Sequence, residues 1–360
     1  MPYLNVAEVE SALQVAAAAP NAAFTQLITL PNTTWEGRTC RALRLSAATS
    51  PKPGVYLLGG IHAREWGSPD ILVFFVEQLQ TAYRTGSGLA LGARTFTASQ
   101  IKSILDGLEL YVFPQANPDG RNHSFTVDPL WRKNRRPAPP GHTAPACVGV
   151  DLNRNYPFMW HFPDFFDSAA PIANSVDACD YEVYIGPGEL SEPETRNVVW
   201  LLDQHPTIRF FVDLHSFGRD ILYTWGDDQD QTTKPAMNFQ NPAFNGKRGV
   251  ANDTAYREFI ASSDRATAVG LANRMRDAIK AVRGTRYTTK QAFALYPTAG
   301  TSDDYAYSRH LTDPAKPKIY AFTIEWGRTF HPPYAEMTNI ITEVTAGLVE
   351  FALAALDTPT

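Results

Sequence analysis

Two histidines and two glutamates in this sequence each follow a mostly apolar stretch. They are His62 and Glu65, after the run 55–58; His215, after the run 208–214; and Glu325, after the run 319–324. Because the carboxyl ends of parallel strands meet at one edge of an α/β sheet, we expect these four side chains to converge. Two imidazoles and one carboxylate form a zinc ligand set that leaves one position for water. The sequence therefore predicts one divalent ion held by His62, Glu65 and His215, with Glu325 beside it as a general base.

Taken singly, each of these residues has an ordinary structural explanation. A His and a Glu three positions apart occur by chance in most chains of this size. A lone His after a strand is more often a hydrogen-bonded core or surface residue than a metal ligand. The metal prediction therefore rests on the coincidence of three strands that all end in such groups.

Fixed positive charge lies in the segment 121–187, where regular periodicity fades. Arg132 and Arg154 both lie there, and a loop region of this length in a compact domain is usually functional. A guanidinium binds a carboxylate through two parallel hydrogen bonds, so one arginine is suited to a substrate carboxylate and the other to a developing oxyanion. Asp151 is suited to orient a ligating imidazole. Judged alone, each arginine is more simply explained by a surface salt bridge.

The elements that must position these residues alternate between strands and helices. Apolar patterns predict strands at 24–30, 40–45, 55–58, 108–114, 208–214 and 319–324. Helices are predicted after a capping box at Asn5 and Glu8, at 69–79 with Ser68 as N-cap, at 97–105, after a capping box at 191–194, at 264–282 and at 336–356. The stretch 117–120, Asn-Pro-Asp-Gly, predicts a turn. This alternation predicts an α/β fold, with residues 1–360 in a single domain whose mixed central β-sheet is flanked by helices.

Composition excludes several classes of protein. Of the 360 residues, 44% are hydrophobic and 19% are charged, which is ordinary for a globular protein with a large core. The net charge of -5 argues against a nucleic-acid partner. No stretch of 18 apolar residues is free of charge, so we expect no membrane span. The N-terminus lacks the basic region of a signal peptide, which favours a cytoplasmic location.

Several ordered motifs make the sequence similar to the zinc metallocarboxypeptidases of the pancreatic carboxypeptidase A and B type, which include bacterial relatives. The matching stretches are Gly60–Trp66, Asn117–Gly120, Trp131–Lys133, Cys147–Asn155, Asp213–Ser216, Tyr296–Gly300 and Phe322–Glu325. The similarity covers nearly the whole chain, from Trp35 to the C-terminal helix. It implies the fold of that family, one Zn²⁺ ion, and removal of the last residue from peptides with a free C-terminus by a monomeric enzyme.

The resemblance also implies a role for each matching side chain. The implied roles are zinc binding by His62, Glu65 and His215; water activation by Glu325; polarisation of the scissile carbonyl by Arg132; binding of the terminal carboxylate by Asn153, Arg154 and Tyr296; a contact in the neighbouring subsite by Arg64; and support of His62 by Asp151. Cys147 and Cys179 fall where pancreatic members carry a disulfide. The resemblance therefore implies that they pair where the compartment permits.

Substrate preference is expected to depend on Asp303. In the family, the aligned residue lies at the base of the pocket for the last side chain of the substrate, and Asp there accompanies Lys or Arg. A partly buried carboxylate favours a cation and is left unpaired by an apolar group. We therefore expect a preference for C-terminal Lys or Arg. The alternatives are mixed basic and apolar specificity, as in bacterial relatives with an acidic residue in this region, and a purely structural turn cap before Tyr305.

The chain departs from the pancreatic pattern at three places. Phe217 stands where pancreatic members have Tyr, so a hydroxyl that lines their cleft is missing. Pro129 stands where they have Arg, so one distal subsite contact is lost. The stretch 227–261 is longer than its counterpart and is expected to reshape the rim of the cleft.

Two other functions are compatible with part of this pattern. A zinc-dependent deacylase of N-acyl amino acids shares the His and Glu ligands, but the stretches around Tyr296 and Asp303 argue against it. An inactive peptide-binding module would keep the fold without the chemistry. The presence of Glu325 and Arg132 argues against that interpretation.

Overall fold

The structure, a computed structural model, describes residues 3–359. In this range the chain forms the strands β1 (Thr25–Thr29), β2 (Arg41–Leu45), β3 (Gly54–Gly59), β4 (Leu89–Leu91), β5 (Arg94–Phe96), β6 (Glu109–Phe113), β7 (Ile208–Ser216), β8 (Asp220–Tyr223), β9 (Asp230–Gln231), β10 (Glu258–Phe259), β11 (Thr288–Gln291) and β12 (Tyr320–Trp326). The helices are α1 (Val6–Ala17), α2 (Gly67–Thr85), α3 (Ala98–Gly107), α4 (Pro118–Thr126), α5 (Pro193–Gln204), α6 (Ser262–Arg283), α7 (Ser302–Thr312) and α8 (Tyr334–Asp357). Eight strands form one sheet in the spatial order β1-β2-β6-β3-β7-β12-β8-β11. The predicted α/β fold with a mixed central sheet flanked by helices is confirmed.

The strands that carry the predicted metal ligands are neighbours at the centre of this sheet. Strand β7 is parallel to β3 on one side and to β12 on the other. All six residues of β3 are buried, and β7 is buried at every position except the intermediate Arg209. This is the pattern of parallel strands covered on both faces. Because the three strands run in the same direction, the segments that follow them meet at one edge of the sheet.

Helices and loops cover the two faces of the sheet differently. On one face, α1, α2, α3, α6 and α8 enclose a core that includes Leu57 and Val212 from the sheet and Leu348 from α8. On the other face, α5, α7 and irregular segments pack against side chains such as Tyr56 and Phe211. Each such fully buried side chain contributes on the order of 1.5–3 kcal/mol of transfer free energy. The central strands are therefore fixed from both sides.

Helix α8 is the one element in the described range that is long and apolar enough to cross a membrane, with a mean hydropathy of 1.5 over its most apolar 18-residue window. However, 78% of that window is buried inside the protein. The helix packs closely on α6, since a Cβ at Gly347 would lie 2.9 Å from a side-chain carbon of Ile279. Its apolar composition is thus explained by its position in the core.

Three local predictions are wrong in their details. Ser68 is not the N-cap of α2, because the helix begins at Gly67 and the Ser68 hydroxyl donates to the carbonyl of Leu214. Helix α5 begins at Pro193 without a side-chain cap, so the predicted capping box is absent. The turn predicted at 117–120 is the first turn of α4. In the first case a partner distant in sequence uses the hydroxyl that the local pattern assigns to the cap. In the third case Asn117 is the N-cap of the helix, and its side chain accepts from the backbone N–H of Gly120 at 2.9 Å.

The segment 121–187 is largely irregular, as its sequence indicates, and it is held by covalent and polar contacts. Cys147 and Cys179 form a disulfide, as the resemblance implies. The buried Lys133 donates to the carbonyls of Ala146, at 2.8 Å, and Asp180, at 2.5 Å, and thereby ties the two cysteine-bearing stretches together. These contacts fix the backbone next to Arg132.

Candidate metal centre and active-site cavity

A tight loop after β3 presents His62 at the edge of the sheet. Gly60 has a φ of +69°, and a Cβ at this position would lie 3.0 Å from the carbonyl oxygen of Pro114. Glycine is therefore required by both the backbone conformation and the close approach. The Asn117 side chain donates to the carbonyl of Ile61 at 3.0 Å and holds the loop from the other side. The imidazole of His62 is thus presented by a rigid backbone.

Three side chains from this edge form the metal-ligand cluster: His62, Glu65 and His215. His62 Nδ1 lies 2.8 Å from Glu65 Oε1, and His215 Nδ1 lies 3.0 Å from Glu65 Oε2. The two Nδ1 atoms are 2.9 Å apart. All three side chains are buried, and their ligand atoms all lie within 4.8 Å of one another.

The opposite ring nitrogens face two buried carboxylates. His62 Nε2 lies 3.1 Å from Asp151 Oδ1, and His215 Nε2 lies 3.0 Å from Asp213 Oδ2. A carboxylate accepts hydrogen bonds, so these contacts assign the proton of each neutral imidazole to Nε2 and leave a lone pair on each Nδ1. Two lone pairs and the Glu65 carboxylate then face a common point. The donor set fits a zinc ion, because the groups repel one another unless a cation lies between them.

The electrostatic surroundings of His215 agree with this fit. Burial alone disfavours an imidazolium, but the Asp213 and Glu65 carboxylates outweigh it and raise the pKa of His215 well above its ordinary value. Although burial opposes it, the imidazoles of His62 and His215 lower the pKa of Glu65. The negative field that attracts a proton to this point also attracts a divalent cation.

Glu325 lies beside the metal-ligand cluster. Strand β12 places Glu325 directly opposite His215 in the parallel register with β7. Burial and the neighbouring Glu65 carboxylate raise the pKa of Glu325 to about 7, while His215 and Arg132 act in the opposite direction. A carboxyl group with a pKa near neutrality can exchange a proton efficiently in both directions. A cation bound by the neighbouring ligands would shift this pKa downward.

Arg132 is fixed by Asp151, the same carboxylate that faces His62. Its Nε and Nη2 donate to Asp151 Oδ2 at 3.0 and 2.9 Å. Burial opposes the charge on Arg132, but Asp151 reverses that effect and raises the arginine pKa above its usual value. Within residues 3–359 no acceptor contacts Arg132 Nη1, which leaves this donor for a molecule in the cavity.

These groups line a cavity of about 190 Å³. Ten of the eleven residues to which the sequence analysis gives a role contribute to its lining: His62, Arg64, Glu65, Arg132, Asn153, Arg154, His215, Tyr296, Asp303 and Glu325. The eleventh, Asp151, lies behind His62. Their presence in one cavity is a fact of geometry, whereas their chemical roles are predictions. Some further lining residues have no predicted role, among them the apolar side chains of Leu222, Ala292 and Leu295.

Asn153 and Arg154 lie in the 3₁₀ turn Leu152–Arg154, which follows Asp151. Arg154 is almost fully buried, and its Nε and Nη1 donate to the carbonyls of Ala173 and Asn153, both at 2.6 Å. Its Nη2 contacts no acceptor in the described part of the chain. Tyr296 contrasts with this arrangement, because 40% of its surface is exposed at the cavity. The cavity therefore combines a buried guanidinium, held by two backbone carbonyls, with a partly exposed tyrosine.

Asp303 lies in the first turn of α7, where 4% of its surface is exposed. Its Oδ2 accepts from the Thr323 hydroxyl at 3.0 Å, and its Oδ1 accepts from the backbone N–H of Asp304 at 3.0 Å. No lysine or arginine in the described range forms an ion pair with this carboxylate. Asp303 therefore accepts a local hydrogen bond in the first turn of α7 and also lines the cavity.

Arg64 lies at the mouth of the cavity with a carboxylate partner. Its two terminal nitrogens donate to the oxygens of Glu182 at 2.7 and 2.6 Å. Its guanidinium also lies over the ring of Phe330, 4.4 Å from the centroid, and Phe330 contacts Phe217 edge to face. The positive charge at this rim is therefore largely neutralised, and one wall of the rim is aromatic.

Sequence reasoning missed several residues that complete the site. Asp213 and Thr323 each lie two residues before a predicted site residue, on the same strand and therefore on the same face. The alternation of side chains along a strand is the signal that could have identified them from the sequence. Glu182 and Phe330 carried no such signal, because they lie in irregular segments and approach Arg64 only through the tertiary fold.

Comparisons with known proteins agree on the family. The zinc carboxypeptidase family model matches residues 10–347. Carboxypeptidase B of Astacus astacus is 29% identical over 293 residues, which cover 81% of this chain and 76% of the relative. Carboxypeptidase B of Homo sapiens is 29% identical over 295 residues, which cover 81% of this chain and 56% of the relative. Zinc carboxypeptidase A 1 of Anopheles gambiae is 30% identical over 274 residues, which cover 76% of this chain and 49% of the relative. The chain thus spans between about half and three quarters of the length of these relatives.

Solved structures share the fold. Bovine thrombin-activatable fibrinolysis inhibitor, in its complex with tick carboxypeptidase inhibitor, matches with a TM-score of 0.73 and 22% identity, covering 99% of this chain and 98% of that chain. Carboxypeptidase A from Helicoverpa armigera matches with a TM-score of 0.73 and 22% identity, covering 99% and 74% respectively. Because the family model spans nearly the whole sequence, the chain belongs to the zinc carboxypeptidase family of metallohydrolases.

Proposed function

We propose that this protein is an active zinc-dependent carboxypeptidase that hydrolyses the C-terminal peptide bond of peptides and proteins and prefers a C-terminal Lys or Arg. The observation that most supports the proposal is that one cavity is lined by the metal-ligand cluster, Glu325, Arg154 and Asp303. A bound zinc ion would supply a Lewis acid that polarises the scissile carbonyl and acidifies a water molecule. The side chains of the chain supply binding, orientation and proton transfer.

Binding begins at the free carboxylate of the substrate. Arg154 keeps Nη2 available in the cavity, and the adjacent Asn153 offers a side-chain amide donor. Tyr296, at the exposed side of the cavity, can close over the bound residue with its hydroxyl. An amidated or internal peptide leaves the buried guanidinium without an anion, so only a chain terminus is bound productively. This requirement makes the enzyme an exopeptidase.

Glu325 and Arg132 carry out the chemical step. Glu325 accepts a proton from the attacking water and returns it to the nitrogen of the leaving residue, and its pKa near 7 suits both transfers. Arg132, held by Asp151, donates from Nη1 to the oxyanion that develops on the scissile carbonyl. The rigid Asp151 contact keeps the guanidinium in place before the charge appears.

The pocket at Asp303 supports a basic preference. A lysine or arginine side chain has an apolar stem and a charged end, which match the apolar lining residues Leu222, Ala292 and Leu295 and the Asp303 carboxylate of the same cavity. The ion pair would give Asp303 the cation that it otherwise lacks. Because the walls are apolar, mixed basic and apolar specificity is the alternative.

The same carboxylate argues against the deacylase. A substrate such as an N-acyl aspartate carries a second carboxylate on its side chain. In this pocket that group would face Asp303, and two buried like charges repel each other.

The test is the hydrolysis of blocked dipeptides that end in Lys, Arg, Phe or Leu, with an N-acyl aspartate as a fifth substrate, each with and without a chelator. We expect kcat/KM for Lys and Arg to exceed that for Phe by at least roughly tenfold, and chelation to abolish all turnover. The variant Asp303→Asn should lose roughly 10- to 100-fold on basic substrates and change little on Phe. Asp228→Asn is the matched control, because Asp228 is buried but does not line the cavity.

The outcomes separate the alternatives. A clear preference for Phe would contradict the role of Asp303 but not the carboxypeptidase activity. Hydrolysis of the acyl aspartate alone would favour the deacylase. The absence of any metal-dependent turnover would favour the inactive binding module.

A further inference from the structure

Asp213 lies on the same strand as the ligand His215, in a stretch that matches the family, but the resemblance implies no role for its side chain. Its Oδ2 lies 3.0 Å from His215 Nε2, which mirrors the contact of 3.1 Å between Asp151 Oδ1 and His62 Nε2. Asp213 is fully buried. The two imidazoles of the metal-ligand cluster thus each have a carboxylate behind them, one from a loop and one from the central strand β7.

These two carboxylates belong to one continuous set of hydrogen bonds, which we call the ligand-bridging network (Asp213, Ser302, Asn153 and Asp151). The Ser302 hydroxyl donates to Asp213 Oδ2 at 2.6 Å, and the Ser302 backbone N–H donates to Asn153 Oδ1 at 2.8 Å. The Asn153 backbone N–H then donates to Asp151 Oδ1 at 2.9 Å. The network therefore runs from one imidazole to the other through Asn153, at the point where the substrate carboxylate is proposed to bind.

We propose that Asp213 is a positioning residue of the metal centre. It fixes His215 with the proton on Nε2 and the lone pair on Nδ1, facing the other ligands, and Ser302 couples this orientation to Asn153. The coupling to Asn153 rests on the proposed function, whereas the effect on metal binding does not. Without the contact to Asp213, the imidazole ring of His215 is free to turn, and its Nδ1 donates its lone pair to a metal ion less strongly.

The bonding of Asp213 itself argues against a purely structural role. Its second oxygen, Oδ1, is buried and has no hydrogen-bond partner within residues 3–359. An unpartnered buried carboxylate oxygen destabilises the folded protein, so a neutral side chain would suit a role in packing better. A charged group at this position is explained by the partner that needs it, the Nε2–H of a metal-binding imidazole.

The test measures zinc affinity without substrate, by competition with a chromophoric chelator on metal-free protein, together with the unfolding temperature of the metal-free protein. In Asp213→Asn we expect zinc to bind roughly 10- to 100-fold more weakly, because the second partner of a ligating His typically controls affinity to this extent. The unfolding temperature of the metal-free variant should be equal to or above that of the wild type. The control Asp264→Asn changes a buried carboxylate that contacts Tyr307 and Lys318 instead, and it should leave zinc affinity within about twofold of the wild type.

A second variant tests the coupling. Ser302→Ala keeps Asp213 and the backbone N–H that donates to Asn153 Oδ1, but removes the hydroxyl that donates to Asp213 Oδ2 and so disconnects Asp213 from Asn153. We therefore expect KM for a blocked dipeptide to rise several-fold, with kcat and zinc affinity changed by less than about threefold. If Asp213→Asn does not fold, Ser302→Ala still tests the proposal. A change in zinc affinity larger than the change in KM would contradict the proposed roles, in which Asp213 orients the metal ligand and Ser302 couples it to Asn153.

Two outcomes overturn the proposal. One is zinc affinity in Asp213→Asn within about twofold of the wild type, with a lowered unfolding temperature, which is the signature of a structural residue. The other is a wild-type protein that does not bind zinc. Weak zinc binding in the variant together with an inactive wild type would instead refute the proposed peptidase function and leave the positioning role of Asp213 in place.

Discussion

Two regions of this protein bury several carboxylates, and they treat the charge in opposite ways. In the metal-ligand cluster, the imidazoles overcome the effect of burial and lower the pKa of Glu65. Arg132 and His62 do the same for Asp151, although burial opposes them. The second region, the acidic cluster, consists of Asp227, Asp228, Glu258 and Asp304 and lies beside the substrate pocket. There burial raises the pKa of both Asp228 and Glu258 to about 7.

The difference lies in the cations, since burial is common to both regions. Arg248 faces the acidic cluster, but its guanidinium donates to backbone carbonyls and to Asn245, and it forms no ion pair with the four carboxylates in the described range. Both side-chain oxygens of Asp227 are buried there, and no N–H group or hydroxyl of the described residues donates to them. Buried carboxylates without a cation retain protons, whereas those beside imidazoles and a bidentate guanidinium stay ionised. The first region is therefore arranged for a divalent cation and the second for protons.

The largest expected effect is at Glu325, which shares the raised pKa of the acidic cluster but lies beside the metal-ligand cluster. Glu325→Gln keeps the shape of the side chain and removes the proton acceptor. We expect kcat to fall by about 10³-fold, while zinc affinity and unfolding temperature stay close to those of the wild type. Steady-state kinetics with a blocked dipeptide and chelator competition measure the two quantities. Turnover at the wild-type rate would contradict the role of Glu325 as the base.

Removal of zinc is expected to act on the first region alone. A ligand that binds only the folded state stabilises it by about 2.7 kcal/mol when its free concentration is a hundred times Kd. Chelation should therefore lower the unfolding temperature by several degrees as well as abolish activity. The variant Asp227→Asn should respond to the chelator as the wild type does, because Asp227 lies outside the metal-ligand cluster. If Asp227→Asn abolished the response to the chelator, the acidic cluster would hold a cation. That result would contradict the contrast between a cation-binding region and a protonated region.

The metal-ligand cluster was accessible from sequence because its determinants are local. A buried parallel strand shows as an apolar run, and its carboxyl end shows as the first polar group, so His62, His215 and Glu325 could be placed at one edge without knowledge of the fold. The resemblance to a family then supplied Asn153 and Tyr296, whose contributions to the cavity no periodicity indicates.

The acidic cluster was not accessible in the same way. Asp227 and Glu258 lie at either end of the polar stretch 227–261, where the strands β9 and β10 have only two residues each. Strands of two residues are too short to show a periodic pattern of hydrophobic residues, and their pairing depends on contacts distant in sequence. Asp304 gave no signal either, because the sequence alone does not show which of two adjacent carboxylates faces the pocket.

The acidic cluster should make stability depend on pH in a defined direction. In an unfolded chain these carboxyls titrate near ~4, whereas in the folded protein Asp228 and Glu258 keep their protons up to about pH 7. Between these values the folded state binds more protons than the unfolded state. The free energy of unfolding therefore falls as the pH rises through this window and levels off above it.

Asp227→Asn removes one of these titrating groups. Burial, together with the Glu258, Asp304 and Asp228 carboxylates, raises the pKa of Asp227 well above the ordinary value, while Arg248 acts in the opposite direction. Relative to the wild type, the variant should gain free energy of unfolding as the pH rises above the ordinary carboxyl range, by about 1.4 kcal/mol per pH unit for as long as Asp227 stays protonated in the folded wild type. Denaturant unfolding at several pH values measures this gain. Parallel pH profiles for the two proteins would show that the cluster is not protonated in the folded state.

The smallest effect is expected at Asp228, and it sharpens the comparison within the acidic cluster itself. Unlike Asp227, the Asp228 carboxylate accepts hydrogen bonds from the backbone N–H groups of Gly249 and Gln229, both at 2.7 Å. These donors stabilise the ionised form and limit the pKa of Asp228 to about 7, so the gain in stability from Asp228→Asn should level off above that pH and remain smaller in total than the gain from Asp227→Asn. If Asp228→Asn instead equals Asp227→Asn, hydrogen-bond donors do not distinguish the two carboxylates, and desolvation alone governs the acidic cluster. If its effect is smaller, the backbone N–H groups partly stabilise the ionised form of Asp228, just as Arg132 and the imidazoles stabilise the ionised carboxylates in the metal-ligand cluster.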